Sequence, residues 1–278
     1  MGFSTLRWDK VRSYRGPVQS SGKKPDAPSD DAPAPGSGPV IRSDPPDLGS
    51  GQFPRGRPSS AKWSMAMPAV VSGIVPAAPA PGSSPFHAKG LVYLGVRECL
   101  DRTVKGGHAA AIAAAGGEDG AVGRFLQGPF VAGSLYDALP LLPLIASAAR
   151  LRGVTPGRIA RELASHLASR DLRGVYKAVL ALPSLEAVAL RLPDLTIRYF
   201  DFGDVLARKE GAQTVHVRRI GVPDVLAPFL AAFVDGYTPV GLGLAGAVDV
   251  RITMAEVRFE SMAARYPTVR LEYTISWT

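Results

Sequence analysis

The stretch ARELASHLASRDLRGVYKAVLALPSLEAVALRLPDLTIRYFDFG (residues 160–203) decides the fold of this chain. Its apolar residues recur at helical spacing, which predicts two or three core helices. Pro183 interrupts this pattern, and Ser184 begins it again as an N-cap residue. Residues 197–203 then change to aromatic side chains and end in a turn glycine. The stretch is therefore expected to form helices and to lead directly into a sheet.

The residues that follow this stretch predict that sheet. Segments 205–210 and 214–220 flank a single glycine, which is typical of a hairpin. An apolar helix is expected over residues 224–237. Segments 248–254 and 269–277 alternate apolar and polar residues, as half-buried strands do. The order β-β-α-β-β after a run of helices predicts an α+β fold, with helices packed on a four-stranded antiparallel sheet.

The residues before the central stretch predict further helices, over 89–104 and 108–115 and within 130–154. A Thr-Pro pair that begins at Thr155 then marks the start of the helix that leads into the central stretch. We therefore expect a single α+β domain over residues 86–278.

The first 85 residues differ in composition from the rest. Fifteen of the chain's 25 prolines lie there, interleaved with glycine, serine, alanine and aspartate. Such a composition cannot bury enough apolar surface to offset the entropy lost on ordering. We therefore expect residues 17–85 to be a disordered linker.

Residues 1–16 contain apolar anchors among basic side chains, namely Phe3, Leu6, Trp8 and Val11. Aromatic anchors at the head of a flexible segment are typical of a docking peptide that binds a protein partner. A frayed terminus without a partner is the alternative. Formation of a homo-oligomer is left open as well.

The charge balance argues against a nucleic acid as the partner. The chain has 278 residues and a formal net charge of +8 at pH 7. Residues 1–85 hold ten Lys/Arg and six Asp/Glu, so residues 86–278 hold the remaining 22 and 18. The excess is therefore the same in both parts, and it forms no dense basic run of the kind that a nucleic-acid footprint requires.

Cysteine content and hydropathy bear on the location of the chain. Cys99 is the only cysteine, so the chain has no internal disulfide and no thiolate metal cage. No apolar run reaches the roughly 18 residues that span a bilayer. The N-terminus lacks the apolar segment of a secretory signal. We expect a cytoplasmic protein without a membrane span.

No catalytic or metal-binding pattern stands out. The four histidines are scattered along the chain and form no pair at the spacing of a helical metal site. The GLGLAG segment (residues 241–246) follows a helix, whereas the dinucleotide fingerprint needs a strand, a turn and a helix. Asp201 and Asp204 have the spacing of a turn and lack an acid–base partner. We assign no catalytic residue, and we expect neither a metal nor an enzymatic activity.

Several short segments carry a family resemblance. They are Ser134 to Tyr136, Asp171 to Tyr176, Leu192 to Leu195, Tyr199 to Gly203 and Tyr273 to Trp277. Together they resemble a paralogous family of unknown function described mainly from myxobacteria, over about residues 86–278. More distantly, helices followed by β-β-α-β-β are similar to the 4-vinyl-reductase, haem–nitric-oxide-binding and TRAPP-type domains. The resemblance implies a small-molecule-sensing or scaffolding role.

Two departures from those families limit what carries over. The chain lacks the cysteines that many 4-vinyl-reductase-type domains have near their C-terminal strands, so the resemblance implies no zinc site. It also lacks the Tyr-x-Ser-x-Arg signature of the haem-binding relatives, so the resemblance implies no haem. We expect no cofactor.

Two functions remain open at this point. The first is a non-enzymatic, cytoplasmic interaction, adaptor or sensing module whose N-terminal peptide docks on a protein partner. The alternative is a small-molecule-binding protein or an enzyme that uses an apolar pocket between helices and sheet. The residues proposed to line such a pocket are Tyr136, His166, Tyr176 and Tyr199, which ordinary core packing would also explain.

Overall fold

The computed structural model describes residues 80–117, 119–174, 176–263 and 266–278. The expected docking peptide, with Phe3, Leu6, Trp8 and Val11, lies outside the described residues, as does most of the linker. All the described residues belong to one compact unit.

Most of the helices come before the C-terminal part of the chain, which consists mainly of antiparallel strands. The helices of the described residues are α1 (Gly90–Thr103), α2 (Gly107–Ala114), α3 (Ala121–Leu126), α4 (Leu141–Arg152), α5 (Pro156–Asp171), α6 (Lys177–Leu180), α7 (Leu185–Thr196) and α8 (Ala227–Leu244). The strands are β1 (His87–Lys89), β2 (Leu135–Asp137), β3 (Asp204–Gly211), β4 (Thr214–Pro223), β5 (Arg251–Ala263) and β6 (Tyr266–Ser276). The predicted α+β class is confirmed.

Four strands form an antiparallel sheet in the order β3-β4-β6-β5. Residues of β4 and β6 alternate between buried and partly exposed, so one face of the sheet is covered and the other is open. On the covered face, α7 packs against β3 and β4, and α8 packs against β5 and β6. The expected four-stranded sheet is therefore confirmed. β1 and β2 form a separate two-stranded ribbon, which the sequence pattern did not predict.

Two helices begin where the sequence predicts, and each has an N-cap residue, of which Ser184 was predicted as a cap. Thr155 Oγ1 accepts a hydrogen bond from the backbone N–H of Arg158 (3.3 Å) at the start of α5. Ser184 Oγ accepts one from the backbone N–H of Ala187 (3.1 Å) at the start of α7. Each cap satisfies a backbone donor that helix geometry leaves without an intrahelical partner.

The helices α5 and α8 share the most extensive helix–helix contact of the described residues. Gly236 of α8 lies directly against the α5 backbone, because a Cβ there would be 2.2 Å from the carbonyl oxygen of Arg161. Ser165 Oγ donates a hydrogen bond to the Gly236 carbonyl (3.0 Å), and Arg161 Nε lies 2.6 Å from Asp235 Oδ2 across the same contact. A glycine therefore sets the distance between these two helices.

Three elements differ from their predicted extents. α8 continues past the predicted end at residue 237, because its burial on both sides of Pro239 outweighs one lost backbone hydrogen bond. β5 continues past residue 254, since bulges interrupt the alternation on which the prediction depended. The segment after Asp171 forms only the short helix α6, because the Asp171 carbonyl accepts the N–H of Tyr176 (2.9 Å) in a turn.

One helical segment of the described residues, Asp224–Leu244, is long and apolar enough to cross a membrane by length and composition. In the structure, 67% of its most apolar window is buried within the protein. Burial of this kind is expected of a core helix, so the segment is a weak indication of a membrane span.

Candidate functional site

Tyr176 and Tyr199, two of the residues expected to line a pocket, lie beside one buried carboxylate. Asp171 is 4% exposed, and its Oδ2 accepts a hydrogen bond from the Tyr199 hydroxyl (2.7 Å). The hydroxyl oxygens of Tyr199 and Tyr237 are 3.4 Å apart. The Tyr176 ring packs edge-on against the Tyr199 ring, with 6.2 Å between centroids. We refer to Arg170, Asp171, Tyr176, Tyr199 and Tyr237 as the Asp171 centre.

Three parts of the chain meet at the Asp171 centre. Asp171 is the last residue of α5, and Tyr237 lies on α8. Tyr199 lies in the connection between α7 and β3, and its carbonyl accepts a hydrogen bond from the N–H of Lys89 (2.8 Å) on β1. The centre therefore joins the helical layer to the chain that enters the sheet.

Burying the carboxylate of Asp171 is costly for two reasons. It loses its hydration, and it lies at the C-terminal end of α5, where the helix dipole is negative. Arg170 Nε, 2.7 Å from Asp171 Oδ1, supplies a positive charge, and the Tyr199 hydroxyl bonds the other oxygen. Both carboxylate oxygens therefore have a partner within the protein.

The tyrosines of the centre stay neutral at physiological pH. Burial raises the pKa of Tyr199 and of Tyr237 far above its usual range, and the nearby Asp171 raises both further. Burial and Asp171 also raise the pKa of Tyr176. These hydroxyls can therefore donate and accept hydrogen bonds but cannot supply a phenolate near pH 7.

A chain of polar contacts links the centre to the protein surface. Arg170 Nη1 donates to Glu98 Oε2 (2.9 Å) on α1, and His166 Nε2 lies 3.0 Å from the same oxygen. Arg102 Nη2 lies 2.8 Å from His166 Nε2. Burial alone would raise the pKa of Glu98, but the hydrogen bonds and charges of His166 and Arg170 outweigh it and lower that pKa. His166 thus contacts the Asp171 centre through Glu98 and Arg170.

Close packing of α1 against α5 positions Arg170. A Cβ at Gly95 would lie 2.3 Å from Leu167 Cδ2 and 3.7 Å from Arg170 Nη1. The absence of a side chain at Gly95 therefore lets α1 approach Leu167 of α5 closely, next to Arg170. Arg170 Nη2 is buried and has no hydrogen-bond partner among the described residues. One donor at the edge of the centre is thus available to a ligand.

The remaining candidate, Tyr136, lies in a different aromatic cluster. Its ring packs against the rings of Phe130 and Tyr93, with 4.9 and 6.3 Å between centroids. Its hydroxyl accepts a hydrogen bond from the backbone N–H of Val131 (2.8 Å). The four candidates are therefore divided between two places.

Arg170, Asp171 and Tyr237 complete the centre, and none of the three was predicted from the sequence to be a site residue. Asp171 follows Leu163 and Leu167 at intervals of four, so it occupies the buried face of α5. A charged residue at an apolar-face position was the signal that could have found it. Tyr237 follows Phe233 in the same way on α8, but a tyrosine in an apolar helix gives no such signal.

Metal ligands do not converge in the part of the chain that the structure describes. No three His, Cys, Asp or Glu side chains there are grouped closely enough to hold an ion. His87, on β1, pairs with Asp201 instead (2.6 Å). Cys99 is buried in α1, and burial raises the pKa of its thiol, which opposes nucleophilic attack by the sulfur.

No family model and no curated protein matches this chain. Solved structures do match. The following three are H-NOX domains. A doubly substituted Tt H-NOX domain gives a TM-score of 0.49 at 10% identity, over 68% of this chain and 95% of its own. An oxygen-binding H-NOX domain related to soluble guanylate cyclases, in its oxygen complex, gives a TM-score of 0.47 at 10% identity. The match covers 68% of this chain and 92% of that domain. An H-NOX mutant of T. Tengcongensis gives a TM-score of 0.49 at 10% identity. The match covers 67% of this chain and 95% of the mutant domain.

The similarity to H-NOX domains assigns neither a ligand nor an activity to this chain. The identity is 10%, and all three TM-scores are below 0.5. The function of this chain must therefore be inferred from its own residues.

Two of the similar structures are named for heme, but the Asp171 centre has no room for one. Haem iron needs an axial ligand, and the porphyrin needs an open pocket. The rings packed around Tyr199 lie 5.7 to 6.4 Å from it between centroids, so a porphyrin would have to displace them.

Proposed function

We propose that this domain is a non-enzymatic, cytoplasmic sensing module that binds a small, largely apolar molecule with one hydrogen-bonding group at the Asp171 centre. The observation that carries the proposal is the bonding of Tyr199. Its hydroxyl donates to a buried carboxylate and receives only a 3.4 Å contact from Tyr237. A ligand hydroxyl or amide in place of that long contact would make a stronger hydrogen bond.

The surroundings of the Tyr199 hydroxyl favour an apolar ligand. The Tyr199 ring contacts the rings of Tyr176, Phe200, Phe233 and Tyr237. An aromatic lining with few polar groups is the usual composition of a small-molecule site. Because the rings fill the space between them, entry of a ligand requires one ring to move.

Tyr176 is the ring that can move at least cost. It is partly exposed, whereas Tyr199 and Tyr237 are fully buried. It also precedes α6, a four-residue helix without a buried residue, so few packing contacts oppose its displacement. We therefore assign to Tyr176 the role of a gate.

The protonation of the centre favours sensing over catalysis. General acid–base catalysis works best with a group whose pKa is close to the working pH. The raised pKa values of Tyr199 and Tyr237 are far from it. Asp171 has both oxygens engaged, one by Arg170 and one by Tyr199, so neither is placed to take a proton from a substrate.

Two experiments on the full chain, purified without unfolding, test the proposal. The first is native mass spectrometry, and the second is a thermal-shift measurement with phenol and indole as probes. We expect a co-purified small molecule or a rise in Tm with probe concentration. Tyr199→Phe removes the hydroxyl oxygen that accepts the ligand's hydrogen bond and should weaken probe binding about tenfold. Tyr136→Phe removes a hydroxyl from the other aromatic cluster and is the matched control, which should bind as the wild type does.

Two results would contradict the proposal. One is the absence of both a co-purified molecule and any probe effect on Tm. The other is equal probe binding by the wild type and by Tyr199→Phe, which would place the ligand elsewhere. Circular dichroism of each variant separates a loss of binding from a loss of folding.

The docking role of residues 1–16 is a separate proposal, and the sequence pattern alone supports it. It is compatible with sensing, because a domain that detects a ligand needs a connection to the protein that responds. A linker of the length of residues 17–85 would let the peptide bind that protein while the domain remains accessible.

A further inference from the structure

The open face of the sheet carries a small depression between β3 and β4. Its volume is about 130 Å³, and it is lined by Leu206, Ala207 and Arg208 of β3 and by His216 and Arg218 of β4. Arg208 stands directly opposite His216 in the register of the two strands, and Leu206 stands opposite Arg218. Three basic side chains therefore surround one small space.

The charges around this depression are not balanced. Glu272 Oε1, on β6, lies 2.9 Å from Arg218 Nε and 3.4 Å from Arg270 Nε, and its Oε2 lies 3.3 Å from His216 Nε2. One carboxylate is thus shared by three basic groups. Arg208 has no ion-pair partner among the described residues. The site therefore has an excess of positive charge that an anion would neutralise.

The size and lining of the depression select the class of anion. A space of about 130 Å³ holds a single compact group such as a phosphate. The planar fork of an arginine matches phosphate oxygens with two parallel hydrogen bonds. None of the lining residues is Phe, Tyr or Trp, whereas single-stranded nucleic acids bind on stacked aromatic side chains. Leu206, which is 59% exposed, offers an apolar wall beside the basic groups.

We propose that this depression binds a phosphate group, either as free phosphate or as part of a small phosphorylated molecule. Arg208 supplies a guanidinium group that no described carboxylate neutralises, and Arg218 and His216 close the other side. The depression lies on the open face of the sheet, whereas the Asp171 centre lies among the helices on the covered side. The two proposals can therefore succeed or fail independently.

Isothermal titration calorimetry of the full chain tests this site with two probes, inorganic phosphate and AMP. We expect the wild type to bind at least one of them. Arg208→Ala should bind that probe with an affinity at least about tenfold lower, because a charge-assisted pair of hydrogen bonds is lost. Tighter binding of inorganic phosphate would identify free phosphate as the ligand. Tighter binding of AMP would identify a phosphorylated small molecule.

Lys209→Ala is the matched control. Lys209 is the next residue of β3 and carries the same charge, but it lies on the other side of the strand, where it pairs with Glu186 of α7. We expect Lys209→Ala to keep the wild-type affinity. Since Arg208 has no ion pair to lose, the Tm of Arg208→Ala should match that of the wild type, which shows that the fold is intact.

Three results would overturn the proposal. The first is that the wild type binds neither probe at millimolar concentration. The second is that Arg208→Ala binds with the wild-type affinity. The third is that Lys209→Ala weakens binding as much as Arg208→Ala does, which would indicate general attraction to a basic protein rather than a site.

Discussion

Two glycines of α8 are expected to respond to alanine substitution in opposite directions. Alanine at either position gains about 0.5–1 kcal/mol of helix stability, because glycine loses more backbone entropy. Nothing lies within 4 Å of a Cβ at Gly243, so Gly243→Ala should keep that gain. A Cβ at Gly236 would lie 2.2 Å from the carbonyl oxygen of Arg161 and 2.9 Å from its Cα. These are backbone atoms, so no side-chain rotation relieves the contact.

The loss at Gly236 follows from this geometry. Relief of the contact requires α5 and α8 to separate by about 1.3 Å or more, since non-bonded heavy atoms pack at about 3.5–4 Å. Overpacking of this kind costs about 1–3 kcal/mol. The separation also lengthens the hydrogen bond from the Ser165 hydroxyl to the Gly236 carbonyl. Loss of such a bond costs about 1 kcal/mol of stability. After the gain in helix propensity, Gly236→Ala should lose about 1–3 kcal/mol in the free energy of unfolding.

Thermal unfolding followed by circular dichroism measures both variants. Each kcal/mol shifts Tm by about 2–4 °C in a domain of 150–250 residues, so Gly236→Ala should unfold roughly 2–12 °C below the wild type. Gly243→Ala should unfold about 1–4 °C above it. A Gly236→Ala protein as stable as the wild type would refute the reasoning, because α5 and α8 could then not be in backbone contact at this point.

Tyr199→Phe leaves a buried carboxylate without one partner and should destabilise the protein by about 1–3 kcal/mol. Tyr237→Phe loses only a 3.4 Å contact and should destabilise the protein less. Urea unfolding that gives the same loss of unfolding free energy for Tyr199→Phe and Tyr237→Phe would contradict this account. Glu98 has a lowered folded-state pKa, so its contribution is present above its unfolded pKa of about 4.3 and is lost as the pH falls through the folded value. The fall of Tm on acidification should therefore be smaller for Glu98→Gln, and an unchanged profile would argue against the ion pairs of Glu98. Deletion of residues 1–16, or Trp8→Ala, should remove a partner that the full chain captures in a pull-down. Retention of that partner by both variants would assign the interaction to the folded domain.

Most helices and strands of this chain were predictable because their signals are local. Thr155 and Ser184 each cap a helix within three residues of themselves. The alternation over residues 269–277 marks β6 without reference to its neighbours. The prediction failed where packing overrides a local signal. The helix predicted to end at residue 237 continues to Leu244, because the contacts of α8 with α5 and the sheet carry it past Pro239.

The candidate site was predictable only in part. Tyr176 and Tyr199 could be named from the sequence as aromatic residues expected to line a pocket between helices and sheet. That Asp171 and Tyr237 are the partners of Tyr199 could not be predicted, because Asp171 lies 28 residues before Tyr199, and Tyr237 lies 38 residues after it. No local pattern relates positions so far apart, and only the packing of α5 against α8 brings them together.

Arg219 shows the same division between sequence and structure. It follows Val215 and Val217 at alternate positions of β4, so the sequence by itself puts an arginine on the covered face of the sheet. The side chain is 1% exposed, and its Nη2 donates a hydrogen bond to the Pro193 carbonyl (3.1 Å) near the C-terminal end of α7. A buried cation is stable only with partners that replace its hydration, and the C-terminal end of a helix carries the required negative potential. That partner comes from a different element, so only the tertiary structure, which packs α7 against β4, decided that this arginine could be buried.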